Sequence, residues 1–287
     1  MMKAFFQGWR TAFRSWRIAL TVYGFQFLLA MILGMLVYNS LGSSIGNSLE
    51  LKKLLFDYDH TVIQDIANVH GNFLAAMQGG LPWVVLGWMI FSTFISGGLL
   101  FTVVKRMPSW DMFWAGGARF FSSFLKMGVF FLLVTAVLSA AIWIPLVSDW
   151  QAMVQKLPSE REYIFVLIGV FILYLLLLLF IFSWATVSKL IFIKEEEKTI
   201  WQSIKSGLIW ASKNFFKTEG LLILFSLVQL IVVFIYWQIE GSSGMVSPTL
   251  IFVFFLIQQL LIFFRIMWRI AVYRGLDYLH NASLVRL

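Results

Sequence analysis

The sequence predicts an all-α polytopic membrane protein: six transmembrane helices arranged as three hairpins, each preceded by a basic amphipathic helix at the membrane interface. Three observations lead there. Apolar residues make up 60% of the chain and charged ones only 13%, about half the ~25% typical of soluble domains. The apolar residues gather into windows of spanning length. The few charges then sort by which side of those windows they fall on.

Crossing ~30 Å of hydrocarbon takes about 20 apolar residues in a helix. Such windows lie at 18–38, 81–104, 127–147, 163–188, 220–238 and 248–264, and none has a charge in its middle. The first is too long for a signal-peptide core and no small-residue cleavage site follows it, so it reads as a true span. The fourth runs up to Lys189 and is long enough to tilt. Gly79-Gly80-Leu81-Pro82 reads as the turn entering the second span, and Ser96-Gly97-Gly98 as a place of close helix packing.

The N-terminus, the 105–126 and 189–219 connections and the C-terminal segment together hold eighteen Lys/Arg against six Asp/Glu. The 39–80, 148–162 and 239–247 connections hold four against eight. By the positive-inside rule the first set is cytoplasmic, which places both termini there. The net charge of +8 is therefore a topology signal, and nucleic acid is not an expected partner. The chain has no Cys, which excludes disulfides, thiolate metal sites and thiol catalysis.

Ahead of the fifth span, Trp201, Ile204, Leu208, Ala211 and Phe215 follow a 3/4/3/4 spacing that makes one helical stripe. Lys198, Gln202, Lys205, Ser212 and Lys213 take the other side. Thr199 with Gln202 three residues on forms a capping-box pattern, and Glu195 to Glu197 sit favourably at the helix's positive end. Residues 2–17 and 110–126 repeat the element. In each copy a Gly is followed eight residues later by a bulky aromatic: Gly8 and Trp16, Gly116 and Phe124, Gly207 and Phe215. The predicted repeat units are about 1–104, 105–193 and 194–274, leaving 275–287 as a cytoplasmic tail of a single membrane domain. Trp9, Trp16, Phe124, Trp201 and Phe215 are expected to dip into lipid while the cations face headgroups. Arg265 and Arg269, four apart on one face at the end of the sixth span, are expected to snorkel to the inner interface. Binding of anionic lipid phosphates by that pair is the alternative.

The run IKEEEKTIWQSIKSGLIWASKNFFKTEGLLIL resembles a group of six-span bacterial inner-membrane proteins. That group includes the membrane domain attached to some glycerophosphodiester phosphodiesterases and related stand-alone proteins. The resemblance rests on an acidic run after the fourth span (Glu195 to Glu197), a Ser on the helix (Ser206), and Lys213, Asn214 and Phe215 at its end. It covers about thirty residues, and over the rest of the chain it is one of architecture. It implies the fold and a bacterial inner-membrane location. It implies no phosphodiesterase activity, because no segment outside the spans carries that enzyme's acidic metal-binding motifs.

Residues 48–77 are predicted to form one extracytoplasmic amphipathic helix carrying Asp57, Asp59, His60, Asp65 and His70. On such a helix His60 and His70 would stand roughly 15 Å apart along the axis and about 80° apart around it, so they cannot share an ion. No nucleophile elbow, zinc-protease motif, phosphate-binding loop or dinucleotide fingerprint occurs. The chain is thus predicted to have no catalytic, cofactor-binding or metal site and to need no cofactor. The spans carry amides and hydroxyls, among them the adjacent Gln258 and Gln259, which point to different helix faces and are the candidates for a polar cavity. The expected function is a non-enzymatic module of membrane or lipid homeostasis, or a partner subunit of another membrane machine. Its partners would be membrane lipids, with anionic headgroups on the cytoplasmic side, and another membrane protein. A small-molecule or lipid transporter with an uncharged intramembrane site is the alternative, and a lipid-modifying enzyme the third.

Overall fold

A computed structural model describes residues 1–45, 71–148, 160–195, 197–243 and 247–284. Every regular element among them is an α-helix: α1 (Met2–Arg14), α2 (Trp16–Ile45), α3 (Gly71–Lys105), α4 (Trp110–Ser148), α5 (Glu160–Lys194), α6 (Ile200–Lys213), α7 (Phe215–Ser243) and α8 (Pro248–Leu284). Six of these, α2, α3, α4, α5, α7 and α8, are long and apolar enough to cross a membrane. Helices are what such a sequence must form in lipid, where each backbone N–H and C=O needs a partner within its own segment.

Helix starts and stops follow local chemistry. Thr199 caps α6: its hydroxyl accepts from the Gln202 N–H at 3.3 Å, and the Gln202 side chain accepts from the Thr199 N–H at 2.9 Å. This is the reciprocal capping box expected from the spacing. α6 ends at Asn214, whose side-chain amide donates to the Trp210 carbonyl at 3.1 Å. α1 ends in the same way at Ser15, whose N–H is shared between the carbonyls of Thr11 and Ala12 at 3.0 Å each. Each of these breaks lies seven residues after a Gly (Gly8, Gly207). At the matching place after Gly116 stands Ser123, and there the helix runs on, so 110–126 is the first part of the 39-residue α4 and no separate interfacial helix.

Two further expectations differ. Gly79 to Pro82, expected as a turn, lies inside α3. Proline removes one helical hydrogen bond, a loss that membrane helices tolerate where neighbouring groups re-satisfy the carbonyl. Residues 275–284, expected as a tail, continue α8 and bury Leu276, Asp277 and His280. Of the predicted 48–77 helix, residues 71–77 form the first turns of α3. The remainder, with Asp57, Asp59, His60, Asp65 and His70, lies outside the described residues.

The chain divides into two compact units: Met1–Trp16 with Thr93–Ile231 and Met267–Leu287, and Arg17–Ser92 with Val232–Ile266. In the first unit α4 and α5 run antiparallel, with Phe120 on Phe192, Phe131 on Trp184, and Ser139 bonded to Tyr174 at 2.8 Å. Its fully buried side chains include Leu99, Phe124, Met127, Leu190, Leu222, Phe225 and Ile270. In the second unit α2 buries Ile18, Ala19 and Val22 and pairs Phe25 with Phe91 of α3, while Leu28, Ile32, Trp83, Phe252 and Leu260 stand exposed as lipid-facing residues would.

Within the first unit, helices meet at glycines. A Cβ on Gly8 of α1 would stand 2.5 Å from the Ala271 carbonyl oxygen of α8. One on Gly116 of α4 would stand 2.5 Å from the Phe101 side chain of α3, and Gly207 of α6 is pressed as closely against Ser188 of α5. By contrast, a Cβ on Gly24 of α2 would meet nothing within 4 Å among the described residues. Gly8→Leu is therefore expected to destabilise the protein by about 1–3 kcal/mol through overpacking, and Gly24→Leu to be neutral. Thermal melting of the two variants in detergent checks this.

Candidate functional site

Lys205 and Lys213, predicted to face headgroups, are exposed, but another group of charged residues, on α5 and α8, is packed into the first unit. Asp277 of α8 is 1% exposed. One carboxylate oxygen accepts from Lys194 of α5 at 2.6 Å and from the Asn281 side chain at 3.2 Å. The other accepts from Arg274, one turn earlier on α8. Lys194 Nζ also donates to Asn281 Oδ1 at 2.8 Å and lies 3.3 Å from His280 Nδ1. The His280 ring in turn lies 5.4 Å from that of Trp210 on α6, and Trp210 Nε1 donates to Ser283 Oγ at 2.7 Å. One acid thus ties two cations together, and the polar chain around it fastens α5, α6 and α8.

A second group holds cations without an acid. Lys189 of α5 donates to Ser96 of α3 at 3.4 Å and lies 5.3 Å from the centre of the Phe124 ring. Arg269 Nε donates to the Tyr273 hydroxyl at 2.8 Å. These contacts revise two expectations. Phe124, predicted to dip into lipid, is 0% exposed, stacked on Phe120 and covered by the Lys189 ammonium. Arg269, predicted to snorkel beside Arg265, is half-buried against Tyr273, whereas Arg265 is exposed. Phe124 is covered from the neighbouring helix α5, which a single-helix pattern does not contain, whereas Arg269 is held by a tyrosine one turn along its own helix.

The other predicted contacts divide. Trp201 is 67% exposed and Trp16 and Phe215 are also exposed, while Trp9 is half-buried with its ring 6.2 Å from that of Phe225. Gln258 and Gln259 face different helices, as expected from their adjacency. Gln258 donates to the Tyr236 hydroxyl of α7 at 2.8 Å, and Gln259 accepts from the Tyr23 hydroxyl of α2 at 2.9 Å. Each amide therefore braces a helix pair within the second unit. In the first unit α7 carries a carboxyl at its fifth residue: Glu219 is 4% exposed, accepts from Ser183 at 3.2 Å through Oε1, and has no hydrogen bond at Oε2 among the described residues.

Two cavities in the first unit are strongly basic. The smaller, about 260 Å³, is lined by Arg10 and Arg14 of α1, Arg106 of the α3–α4 loop and Arg274 of α8, with Gln7, Thr11, Ser15 and Thr102 among its polar groups. The larger, about 580 Å³, is lined by Lys3, Lys213 and Lys217 together with Trp210, Asn214 and Tyr278. Neither lining includes a carboxylate. The sequence reading missed Asp277, Lys194, Arg106, Arg274 and Glu219. One signal was present, since Asp277 is the sole acid among the last twenty-three residues and stands three after Arg274, the spacing of a helical ion pair.

Compared with known protein families, with curated proteins and with solved structures, the chain matches none.

The ion network gives a stability test. Asp277→Asn leaves Lys194 and Arg274 without their carboxylate and is expected to cost about 3–5 kcal/mol, the loss seen when one partner of a buried pair is removed. Glu195→Gln breaks the Lys198–Glu195 pair at 2.8 Å, in which both side chains are largely solvated, and should cost under about 1 kcal/mol. Melting of both variants in the same detergent compares them.

Proposed function

We propose that this chain is a non-enzymatic integral membrane module acting through contacts with lipid and with a second membrane protein, in the manner of a homeostasis factor or a partner subunit. The observation that carries this reading is the two-faced character of α1 and α6. α6 packs inward through Ser203, Ile204, Gly207 and Ala211 while Trp201 and Ile209 remain exposed. α1 packs inward through Ala4, Gly8 and Ala12 while Phe6 and Phe13 remain exposed, with Arg10 and Arg14 on the same helix. Exposed aromatics among cations on a short helix are the chemistry of the headgroup boundary. The like placement of Gly8, Gly116 and Gly207 against neighbouring helices supports a three-fold unit of entry helix and hairpin. The charge distribution supports cytoplasmic termini, and the resemblance of 193–224 supports a bacterial inner membrane.

Replacing Phe13 and Trp201, both largely exposed, by Asp should leave folding intact and abolish complementation of a deletion strain. Full complementation by that double variant would remove the reading. Because the chain has no Cys, orientation has its own measurement. A single Cys replacing Asp57 should label from outside intact cells, and one replacing Glu196 only after permeabilisation, with the reverse pattern overturning the topology.

A carrier is the second reading, and Glu219 is the observation that favours it. A buried carboxyl with one unbonded oxygen, set one turn into an apolar helix, is a group able to hold and release a proton. Gln258 and Gln259 support it less, since both are engaged with tyrosines. Proteoliposomes containing wild-type protein should then dissipate an imposed pH gradient faster than those containing Glu219→Gln. Equal rates would leave Glu219 a packing residue.

A further inference from the structure

We infer that the smaller basic cavity is a binding site for a phosphate-monoester group, gripped by Arg10, Arg14 and Arg106 and backed by the buried Arg274. The inference deepens the lipid-contact reading and rests on it only for a membrane source of the phosphate.

The charge of the site calls for an anion. Arg10, Arg14 and Arg106 have no carboxylate within ion-pair distance among the described residues, and the cavity they share has none in its lining. Arg274 is bonded to Asp277, but that carboxylate is divided between Arg274 and Lys194, so the pair of cations behind the cavity retains a net positive charge. Like charges brought together in one concavity repel one another, and the repulsion is relieved when an anion enters. Were the arginines only surface decoration of a basic helix, solvent and lysine would serve as well. Guanidinium instead offers paired donors that match the oxygens of phosphate.

The backbone is arranged to bring these groups together. Arg10 and Arg14 are one helical turn apart on α1 and present both forks on one face. Gly8 seats α1 directly on the Ala271 backbone of α8, which brings that face beside Arg274. Arg106, on the loop after α3, is the only non-glycine residue with positive φ among the described residues, at 57°. That left-handed conformation is unfavourable for a residue bearing a side chain, and Gly or Asn would adopt it with less strain. An arginine held there at a cavity mouth is the kind of local strain that accompanies a binding role.

Size narrows the ligand. About 260 Å³ falls below the ~300–1,000 Å³ of pockets that enclose whole drug-sized molecules. It admits a phosphate with a small portion of what it is attached to. A dianionic monoester answers three uncompensated cations better than a monoanionic diester does. Both a lipid with a terminal phosphate and a small soluble phosphomonoester present this chemistry. Gln7, Thr11 and Ser15, lining the same cavity, supply neutral hydrogen-bonding groups for the ester side.

The test uses the full chain in neutral detergent with three probes: dioctanoyl phosphatidic acid, glycerol 3-phosphate and dioctanoyl phosphatidylcholine. Binding is read by calorimetry in wild type, in Arg10→Gln/Arg14→Gln, and in Lys213→Gln/Lys217→Gln, which alters only the larger cavity. The inference expects phosphatidic acid or glycerol 3-phosphate to bind wild type, the first arginine variant to lose at least tenfold in affinity, and the lysine variant to match wild type. Binding of the lipid alone identifies a membrane source, and binding of both identifies recognition of the phosphate itself. Phosphatidylcholine should not compete. Equal affinity in the arginine variant and wild type, or no binding of either phosphomonoester, overturns it. Since Arg10 and Arg14 are exposed, the variant should melt as wild type does without ligand. If it does not, Arg106→Gln, altered outside any helix, carries the same expectation. Failure here with native lipid still retained by wild type through purification would remove the site and leave the module reading standing. Loss of both would remove the module reading as well.

Discussion

Lipid is as apolar as the side chains that fill this protein, so packing one leucine-rich helix on another gains little over leaving both in hydrocarbon. What does hold such helices is close backbone approach, where dispersion contacts accumulate over many atoms. In the first unit that approach is made at glycines. Gly8 admits α1 to the backbone of α8, Gly97 and Gly98 meet Gly116, Gly117 and Phe113 where α4 crosses α3, and Gly207 admits α6 to α5. The other features of the unit depend on these seats. Without Gly8 in contact with Ala271, Arg10 and Arg14 would not share a cavity with Arg274. Without Gly207 against Ser188, the α6 face carrying Trp210 would not reach His280 and Ser283.

Polar chemistry is layered on that packing. Asp277 is the acid on which Lys194 and Arg274 converge, and Asn281 satisfies a further position of both the carboxylate and the ammonium. A half-satisfied network of this kind would cost more than an apolar core, and each of these partners is supplied. The neighbouring cations are treated differently. Lys189 is offered a hydroxyl and a ring face, Arg269 a tyrosine hydroxyl, and Arg10, Arg14 and Arg106 of the smaller cavity no acid among the described residues. The same unit thus neutralises some charges to hold helices together and leaves others uncompensated, which is the electrostatic basis for reading the cavity as a receptor for anions.

Much of the architecture was legible because it depends on a single segment at a time. The six apolar windows became helices long enough to span, and the Thr199–Gln202 box formed as its spacing required. Errors arose where the sequence signal was local but the outcome was not. Proline after two glycines reads as a turn, yet α3 continues through Pro82. Phe124 stands in register with Trp16 and Phe215, yet it is buried while they are exposed. The site was less legible than the fold. Arg265 with Arg269, and Gln258 with Gln259, were chosen for their spacing along one helix. The cavity takes its four arginines from α1, the α3–α4 loop and α8.

The sequence by itself determined that the chain is helical, which six segments are apolar enough to cross a membrane, and where α6 begins, because each of these is settled by neighbours within about one helical turn or by composition over one span. The tertiary structure decided which aromatic faces are covered, which cation receives the carboxylate of Asp277, and which arginines converge. A helical pattern states which residues share a face. It contains nothing about what lies opposite, and Lys194 and Asn281, eighty-seven residues apart in the chain, become neighbours only when two glycine-seated helices bring α5 and α8 together.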